Sequence, residues 1–187
     1  MRLKLISIIS FFYLVSLSNY NYIYSDQNDS RLEILFKKLK NSKRNDATSI
    51  LENKIWQIWL EHDNLDIKKL MKLGITAMGK KKYQDALNYF ENITKIDPNF
   101  AEGWNKKATV LYLMHRYNDS EINIGKTLSL EPRHFGAWAG LSLICFSRED
   151  WEGAIKSLTK GLEVHPKMKG LKDHLKYAKQ KFKESLI

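Results

Sequence analysis

Apolar and polar positions follow the spacing of amphipathic helices along most of the chain. Residues three or four positions apart share one side of a helix, so apolar residues at that spacing predict a buried helical face. Two such faces follow each other: Leu70, Leu73, Gly74 and Ala77, and then Ala86, Phe90 and Ile93. The polar stretch Gly79 to Lys82 separates them. This pattern predicts two antiparallel helices joined by a short turn.

The same pattern recurs at a fixed distance. The prolines of the chain, Pro98, Pro132 and Pro166, lie 34 residues apart. Further columns keep this spacing: Tyr83, Tyr117 and Trp151; Leu70, Trp104 and Trp138; Ala86, Ser120 and Ala154; Phe90, Ile124 and Leu158; Ile96, Leu130 and Val164. Internal similarity at a constant period of this length indicates stacked repeats. Each unit ends at a proline, which stops one helix and can start the next because a first turn needs no N–H.

The matched positions resemble tetratricopeptide repeats (TPRs) over residues 67–168, with units at 67–100, 101–134 and 135–168. The residues that carry the resemblance are Leu70, Leu73, Gly74, Ala77, Ala86, Phe90, Ile93 and Pro98; Trp104, Ala108, Leu111, Tyr117, Ser120, Ile124 and Pro132; and Trp138, Leu141, Ser142, Ala154, Leu158 and Pro166. Lys107 and Cys145 depart from the family pattern, which has apolar or bulky side chains there. The resemblance implies an all-α fold, a right-handed α-solenoid of antiparallel helix pairs. The run from Ala101 to Thr109 is also similar to small exported TPR proteins of alphaproteobacteria.

Helices are also predicted on both sides of the repeats. Residues 26–66 are expected to form a helical pair that stacks on the first repeat and carries two tryptophans, Trp56 and Trp59. Residues 169–187 are expected to form a terminal helix that caps the solenoid. Its lysine-rich side is a solvated surface or, alternatively, a surface that contacts anionic lipid or nucleic acid. Nucleic acid is the less favoured partner because acidic residues interrupt the lysines and few aromatic residues accompany them.

Residues 1–25 have the pattern of a secretory signal peptide. Two basic residues precede an apolar run, Leu5 to Leu17, which is short for a membrane span of about 20 residues. We expect cleavage before Asp26 or, as a second choice, at Ser16 and Ser18. An uncleaved anchor is the alternative. The protein is therefore expected to be exported, and periplasmic if bacterial.

Charge and cysteine content narrow the classes of partner and site. The chain has 31 basic and 21 acidic residues, a net charge of +10, which favours acidic partners or anionic surfaces. The single cysteine, Cys145, excludes an intramolecular disulfide and any cysteine-based structural zinc site. We expect Cys145 to be a small buried apolar residue rather than a nucleophile.

Catalytic and cofactor chemistry finds little support in the sequence. The histidines form no metal-binding motif, so we expect them to be scattered on the surface: His62, His115, His134, His165 and His174. The glycines are isolated, which excludes a glycine-rich phosphate loop, and the carboxylates are expected to be solvated. We therefore predict no catalytic residues, no metal, no cofactor and no small-molecule substrate.

The resemblance implies that the first helix of each repeat lines a concave groove that binds an extended peptide or a partner helix. Carried over by position, the groove residues are Met71, Ile75, Asn105, Lys106, Thr109, Tyr112, Leu143 and Phe146. Asn105 can donate and accept hydrogen bonds, Lys106 is expected to select acidic groups, and Tyr112 offers an apolar body with a polar tip. Of the positions used by TPR domains that clamp chaperone carboxyl termini, only Lys106 matches, which disfavours that subclass. Alternatively, the protein's own flanking helix fills the groove.

These observations favour a non-enzymatic protein–protein interaction module that is exported and binds another protein in its groove. The alternative is an envelope-associated structural element attached through the basic carboxyl-terminal helix. An enzyme would need a site that leaves no motif in the sequence.

Overall fold

The computed structural model describes residues 26–42 and 45–187, so the predicted signal peptide or anchor at 1–25 lies outside the described residues. Regular structure within the described ranges is helical, which confirms the predicted all-α class. The helices are α1 (Arg31–Asn41), α2 (Asn45–Leu60), α3 (Leu65–Gly79), α4 (Tyr83–Ile96), α5 (Ala101–Leu113), α6 (Tyr117–Leu130), α7 (Phe135–Ser147), α8 (Trp151–Val164) and α9 (Leu171–Glu184). In the described part of the chain, we find no helix with the length and apolar character needed to cross a membrane.

Helices α3 to α8 form three hairpins that stack in chain order. Each hairpin pairs an odd-numbered helix with the next helix, and successive hairpins meet through α4 and α5 and then through α6 and α7. Helix α9 continues the stack by packing on α8. The described chain is therefore a solenoid in which each repeat packs mainly on its neighbours.

The turn within each hairpin repeats the same backbone geometry. Lys81, His115 and Glu149, which lie 34 residues apart, have positive φ angles of 59°, 59° and 56°. The N–H of the following residue then donates to a carbonyl five residues back at 2.9 Å, as between Lys82 and Ala77. This left-handed residue ends the first helix of each repeat and turns the chain back.

Small residues set the spacing of the helices. A Cβ on Gly74 would lie 2.5 Å from Cε1 of Phe90, and a Cβ on Gly103 would lie 2.7 Å from Cγ2 of Ile93. Phe90 and Ile93 are fully buried. Glycine is therefore required at both positions for the close approach of α3 to α4 and of α4 to α5.

The two tryptophans of one repeat column lie at the margin of the core rather than inside it. Trp104 and Trp138 are only half-buried. Their indole N–H groups donate to the carbonyls of Pro98 and Pro132, each at 2.9 Å. The reason is that an indole carries a polar N–H, which here finds a partner in the loop that precedes its own helix.

The amino-terminal helical pair lies across all three repeats, not on the first repeat alone as we expected. Helix α2 and His62, which follows it, contact the loops at the ends of the three hairpins. His62 lies 3.0 Å from Asp97, Trp59 stacks on His134, and Glu52 lies 3.2 Å from His165. We call α1, α2 and the residues that follow up to His62 the strap, because this segment connects the loops at the ends of the three repeats.

Candidate functional site

A pocket of about 300 Å³ lies between α5 and α7. Five of the eight predicted groove residues line it: Asn105, Lys106, Thr109, Tyr112 and Leu143. The α7 side is formed by Gly136, Ala139 and Gly140, and the lack of large side chains there leaves the space that the pocket occupies. We call this space the α5–α7 pocket.

The strap forms one wall of the α5–α7 pocket through Trp56. A Cβ on Gly136 would lie 2.6 Å from the Trp56 ring, so glycine is what allows the indole to approach α7. The Lys106 ammonium lies 5.3 Å from the Trp56 ring centroid, within the range of a cation–π contact. The flanking helix thus bounds the groove at this repeat, and about 300 Å³ of space remains beside it.

Two polar residues of the pocket are already engaged within the protein. Asn105 is only 6% exposed, and its Nδ2 donates to Oε2 of Glu102 at 3.0 Å. The Lys106 Nζ lies 2.9 Å from Oε1 of the same carboxylate. Because the Lys106 ammonium is paired with Glu102, the structure does not support the expectation that Lys106 selects acidic groups of a partner.

Glu102 also binds a buried histidine. Glu102 and His134 side chains are both 0% exposed, and Nε2 of His134 lies 2.9 Å from Oε2 of Glu102. The His134 Nδ1 accepts the backbone N–H of Ala137 at 3.0 Å, so the ring proton is on Nε2, which donates to the carboxylate. Burial favours a raised pKa for Glu102, but Lys106 and His134 outweigh it and lower the pKa below its ordinary value.

Sequence reasoning missed this buried polar network. We expected surface histidines and solvated carboxylates, and this is wrong for His134, His165, Glu102 and Glu131, which are all buried. One signal was available: Asp97, Glu131 and His165 occupy the same column of the repeat, directly before each proline. A polar residue that recurs at a fixed place in a helical repeat indicates a hydrogen-bond role. Asp97 pairs with His62, Glu131 with Arg133 and His165 with Glu52, whereas Glu102 and His134 lie outside this column.

Three predicted groove residues lie outside the α5–α7 pocket. Met71 is 4% exposed and belongs to the core cluster of the first repeat, against which Leu60 of the strap packs. Its assignment to the groove is wrong. Ile75 is 37% exposed but does not line the pocket. Phe146 faces a second pocket, formed with α9.

Cys145 is buried in the packing between α7, α8 and α9. Burial, followed by the nearby carboxylate of Asp150, raises the pKa of the Cys145 thiol to about 11. A thiol with this pKa is protonated at neutral pH, so Cys145 has the inert character that we expected. Among residues 26–42 and 45–187, His, Cys, Asp and Glu side chains form no group of three suited to a metal ion.

Known proteins resemble the chain in sequence and in fold. A TPR repeat-containing protein of Rhizobium etli is 31% identical over 136 residues, 73% of this chain and 67% of the relative. The DnaJ protein P58IPK homolog B of Oryza sativa subsp. japonica is 31% identical over 72 residues, 38% of this chain and 15% of that protein. The chain thus spans two thirds of the first relative and a small part of the second. No family model matches the sequence.

Solved structures show the same fold at low identity. The Sgt2 TPR domain from Aspergillus fumigatus superposes with a TM-score of 0.62 at 22% identity, covering 65% of this chain and 82% of that domain. The first TPR of Spaghetti (RPAP3), bound to the HSP90 peptide SRMEEVD, has a TM-score of 0.62 at 18% identity, with 64% and 95% covered. The solenoid, its period and the Rhizobium etli relative agree: the chain belongs to the tetratricopeptide repeat family.

Proposed function

We propose that this TPR protein is a non-enzymatic interaction module that holds an apolar side chain of an extended peptide or partner helix in the α5–α7 pocket. The observation that carries the proposal is the pocket itself, whose volume of about 300 Å³ reaches the lower end of the usual range for binding sites. Related support comes from the TPR domain of RPAP3, whose solved structure contains a bound peptide.

The pocket chemistry favours an apolar group of the partner. Tyr112, Ile124, Leu143 and Met168 line it, whereas the amide of Asn105 and the ammonium of Lys106 are held by Glu102. Anchors that fill such a pocket contribute most of the binding energy at protein interfaces, because they are fully desolvated there. An acidic group on the partner is not required by this arrangement.

The test uses peptides selected for binding to the full-length protein from a random display library. Gly140→Leu places a side chain in the α5–α7 pocket and is expected to weaken binding of the selected peptides by about tenfold or more. Gly125→Leu is the matched control, because a Cβ on Gly125 meets nothing within 4 Å. Tyr112→Ala, which removes a wall without adding volume, is expected to weaken binding as well. Equal affinity of all variants, with unchanged helicity by circular dichroism, would place the peptide site elsewhere.

We further propose that residues 1–25 export the protein, to the periplasm if the host is bacterial. The support is the sequence pattern, with basic residues before the apolar run Leu5 to Leu17. A fusion of residues 1–30 to a reporter that is active only outside the cytoplasm is expected to give signal. A silent fusion in a host competent for export would refute the proposal.

A second candidate function is attachment to an anionic envelope surface through α9. Lys172, Lys176, Lys179 and Lys183 are all exposed and lie three or four positions apart, on one side of the helix. Binding to anionic vesicles that falls steeply with salt, and that is lost in the quadruple Lys→Gln variant, would support this candidate. A peptide complex in the pocket depends on salt much less.

A further inference from the structure

Three aromatic rings meet at the carboxyl-terminal end of the solenoid. The centroids of Phe146 and Trp151 are 6.1 Å apart, those of Phe146 and Tyr177 are 6.1 Å apart, and those of Trp151 and Tyr177 are 6.0 Å apart. The rings come from three helices, α7, α8 and α9, and the packing of these helices places the rings in a nearly equilateral triangle. The planes of Trp151 and Tyr177 meet at 84°, and each makes an angle of about 55° with Phe146.

The triangle is open to solvent rather than sealed in a core. Tyr177 is 49% exposed, and Trp151 and Phe146 are half-buried. With Leu143 and His174 the three rings line a pocket of about 230 Å³, which we call the aromatic recess. Leu171 and Ala178 supply the fully buried contacts of α9, and Phe146 packs against the same core cluster, so its ring borders both the core and the recess.

The face of an aromatic ring carries negative potential, so several ring faces around one space attract a cation. A group on the axis of this triangle and within about 4 Å of its plane lies within about 6 Å of all three centroids, the range of a cation–π contact. A trimethylammonium group is suited to such a site, since its charge is spread over methyl groups that also contact the rings. It is less strongly hydrated than a lysine ammonium, so it loses less hydration free energy when it enters an apolar recess.

We propose that the aromatic recess binds a trimethylammonium group of the choline type, as a free small molecule or as a lipid headgroup. The recess adjoins the α5–α7 pocket, since Leu143 lines both, but the proposal does not depend on peptide binding in that pocket. The two are distinguishable because they use different rings: Trp56 and Tyr112 at the pocket, and Phe146, Trp151 and Tyr177 at the recess.

The protein already places one cation near this site. Nζ of Lys181 lies 5.9 Å from the Tyr177 centroid and is held 2.8 Å from Oε2 of Glu184. The contact shows that a cation can reach the Tyr177 ring, but the charge of Lys181 also repels an incoming cation. Removing that charge while keeping the rings is therefore expected to strengthen binding.

The experiment titrates the full-length protein with choline chloride and, separately, with 3,3-dimethylbutan-1-ol, the uncharged isostere that replaces nitrogen by carbon. Isothermal titration calorimetry is expected to show choline binding about tenfold or more tightly than the isostere, because only the cation is attracted by the ring faces. Absence of choline binding, or equal affinity for the isostere, would overturn the proposal.

Variants locate the binding on the chain. Trp151→Leu and Tyr177→Leu are each expected to weaken choline binding by about tenfold, and Lys181→Gln to strengthen it. Trp104→Leu is the control for loss of an indole, and Tyr112→Ala the control for the α5–α7 pocket; both should leave choline affinity unchanged. Tyr177 is half-exposed, so Tyr177→Leu is expected to stay folded and can test the site even if Trp151→Leu unfolds. Unchanged affinity in the folded Tyr177→Leu variant would refute the assignment.

A second arm separates the two sources of the group. Vesicles of phosphatidylcholine that bind the protein, and that free choline displaces, identify the headgroup as the ligand. Choline binding without any vesicle binding identifies a free small molecule instead.

Discussion

The imidazole of His134 lies flat on the indole of Trp59, with 4.1 Å between the ring centroids and 8° between the planes. The same imidazole donates to the buried carboxylate of Glu102 at 2.9 Å. One side chain at the start of α7 therefore connects the strap to the second repeat, through a stacking contact on one side and a charged hydrogen bond on the other.

Replacing His134 by alanine is expected to lower the free energy of unfolding by about 3 kcal/mol or more, because Glu102 stays buried with one partner fewer. Urea denaturation of the two proteins measures the difference. His174→Ala is the control for loss of an imidazole, since His174 is exposed and its removal is expected to cost under about 0.5 kcal/mol. Similar losses for the two variants would contradict the role assigned to His134.

Glu102 predicts a particular dependence of stability on pH. Burial disfavours its charge, but Lys106 and His134 more than compensate and hold its pKa below the ordinary 4.5. Since the folded-state pKa is the lower one, the ionised carboxylate stabilises the fold above about pH 4.5, and this contribution is lost as the pH falls through the folded value.

Glu102→Gln is therefore expected to destabilise the protein most at about pH 7 and progressively less as the pH falls through the lowered folded-state pKa of Glu102, below which the native carboxyl is also neutral. Unfolding free energies measured across this range give the profile. Glu163→Gln, which alters an exposed ion pair, is the matched control and should stay close to wild type throughout. A loss for Glu102→Gln that is constant with pH would exclude the ionised form as the stabilising one.

The left-handed turns offer a stabilising substitution. Lys81 has φ of 59°, a conformation that costs a residue with a Cβ about 1–2 kcal/mol and glycine much less. Lys81→Gly is expected to raise the free energy of unfolding by about 1 kcal/mol. Its neighbour Lys80 has a φ of −87°, so Lys80→Gly is expected to lower the free energy of unfolding. Chemical denaturation of the two variants, with the m-value unchanged, measures these opposite changes.

Gly74 and Gly79 of α3 are expected to respond in opposite directions to alanine. At Gly74 the new Cβ would lie 2.5 Å from the Phe90 ring, and we expect a loss of about 1–3 kcal/mol. At Gly79 nothing lies within 4 Å, so the better helix propensity of alanine is expected to add up to about 1 kcal/mol. Thermal melts followed by circular dichroism distinguish the two, and a stable Gly74→Ala variant would show that α3 and α4 can separate without cost.

The fold was predictable because the same core positions occur three times, and each occurrence checks the others. Phe90, Ile124 and Leu158 occupy one column of the repeat, and all three are buried. The turn residues Lys81, His115 and Glu149 share a left-handed conformation that their differing side chains do not indicate. There the period located the turn, while the backbone geometry came only from the structure.

The lining of the α5–α7 pocket was predicted in part. Asn105, Thr109, Tyr112 and Leu143 follow from the face of α5 and α7 opposite the core, and they do line the pocket. Met71 was misplaced because it belongs to the buried core cluster of the first repeat, against which Leu60 of the strap also packs. The strap is present once in the chain, so no period reveals where it packs. Its contacts depend on loop geometry that single residue types do not encode.

The strap also changes how the solenoid is expected to unfold. Arrays of repeats that contact only their neighbours can lose units from either end, so partly unfolded species accumulate. Here His62, Trp59 and Glu52 contact the loops at 97, 134 and 165, respectively, and these contacts between distant parts of the chain join the three units. Local unfolding of one repeat therefore breaks contacts with the strap, which also holds the other two repeats. The protein is therefore expected to melt in a single cooperative transition, at the expense of slower folding, since closing such long loops delays the native topology.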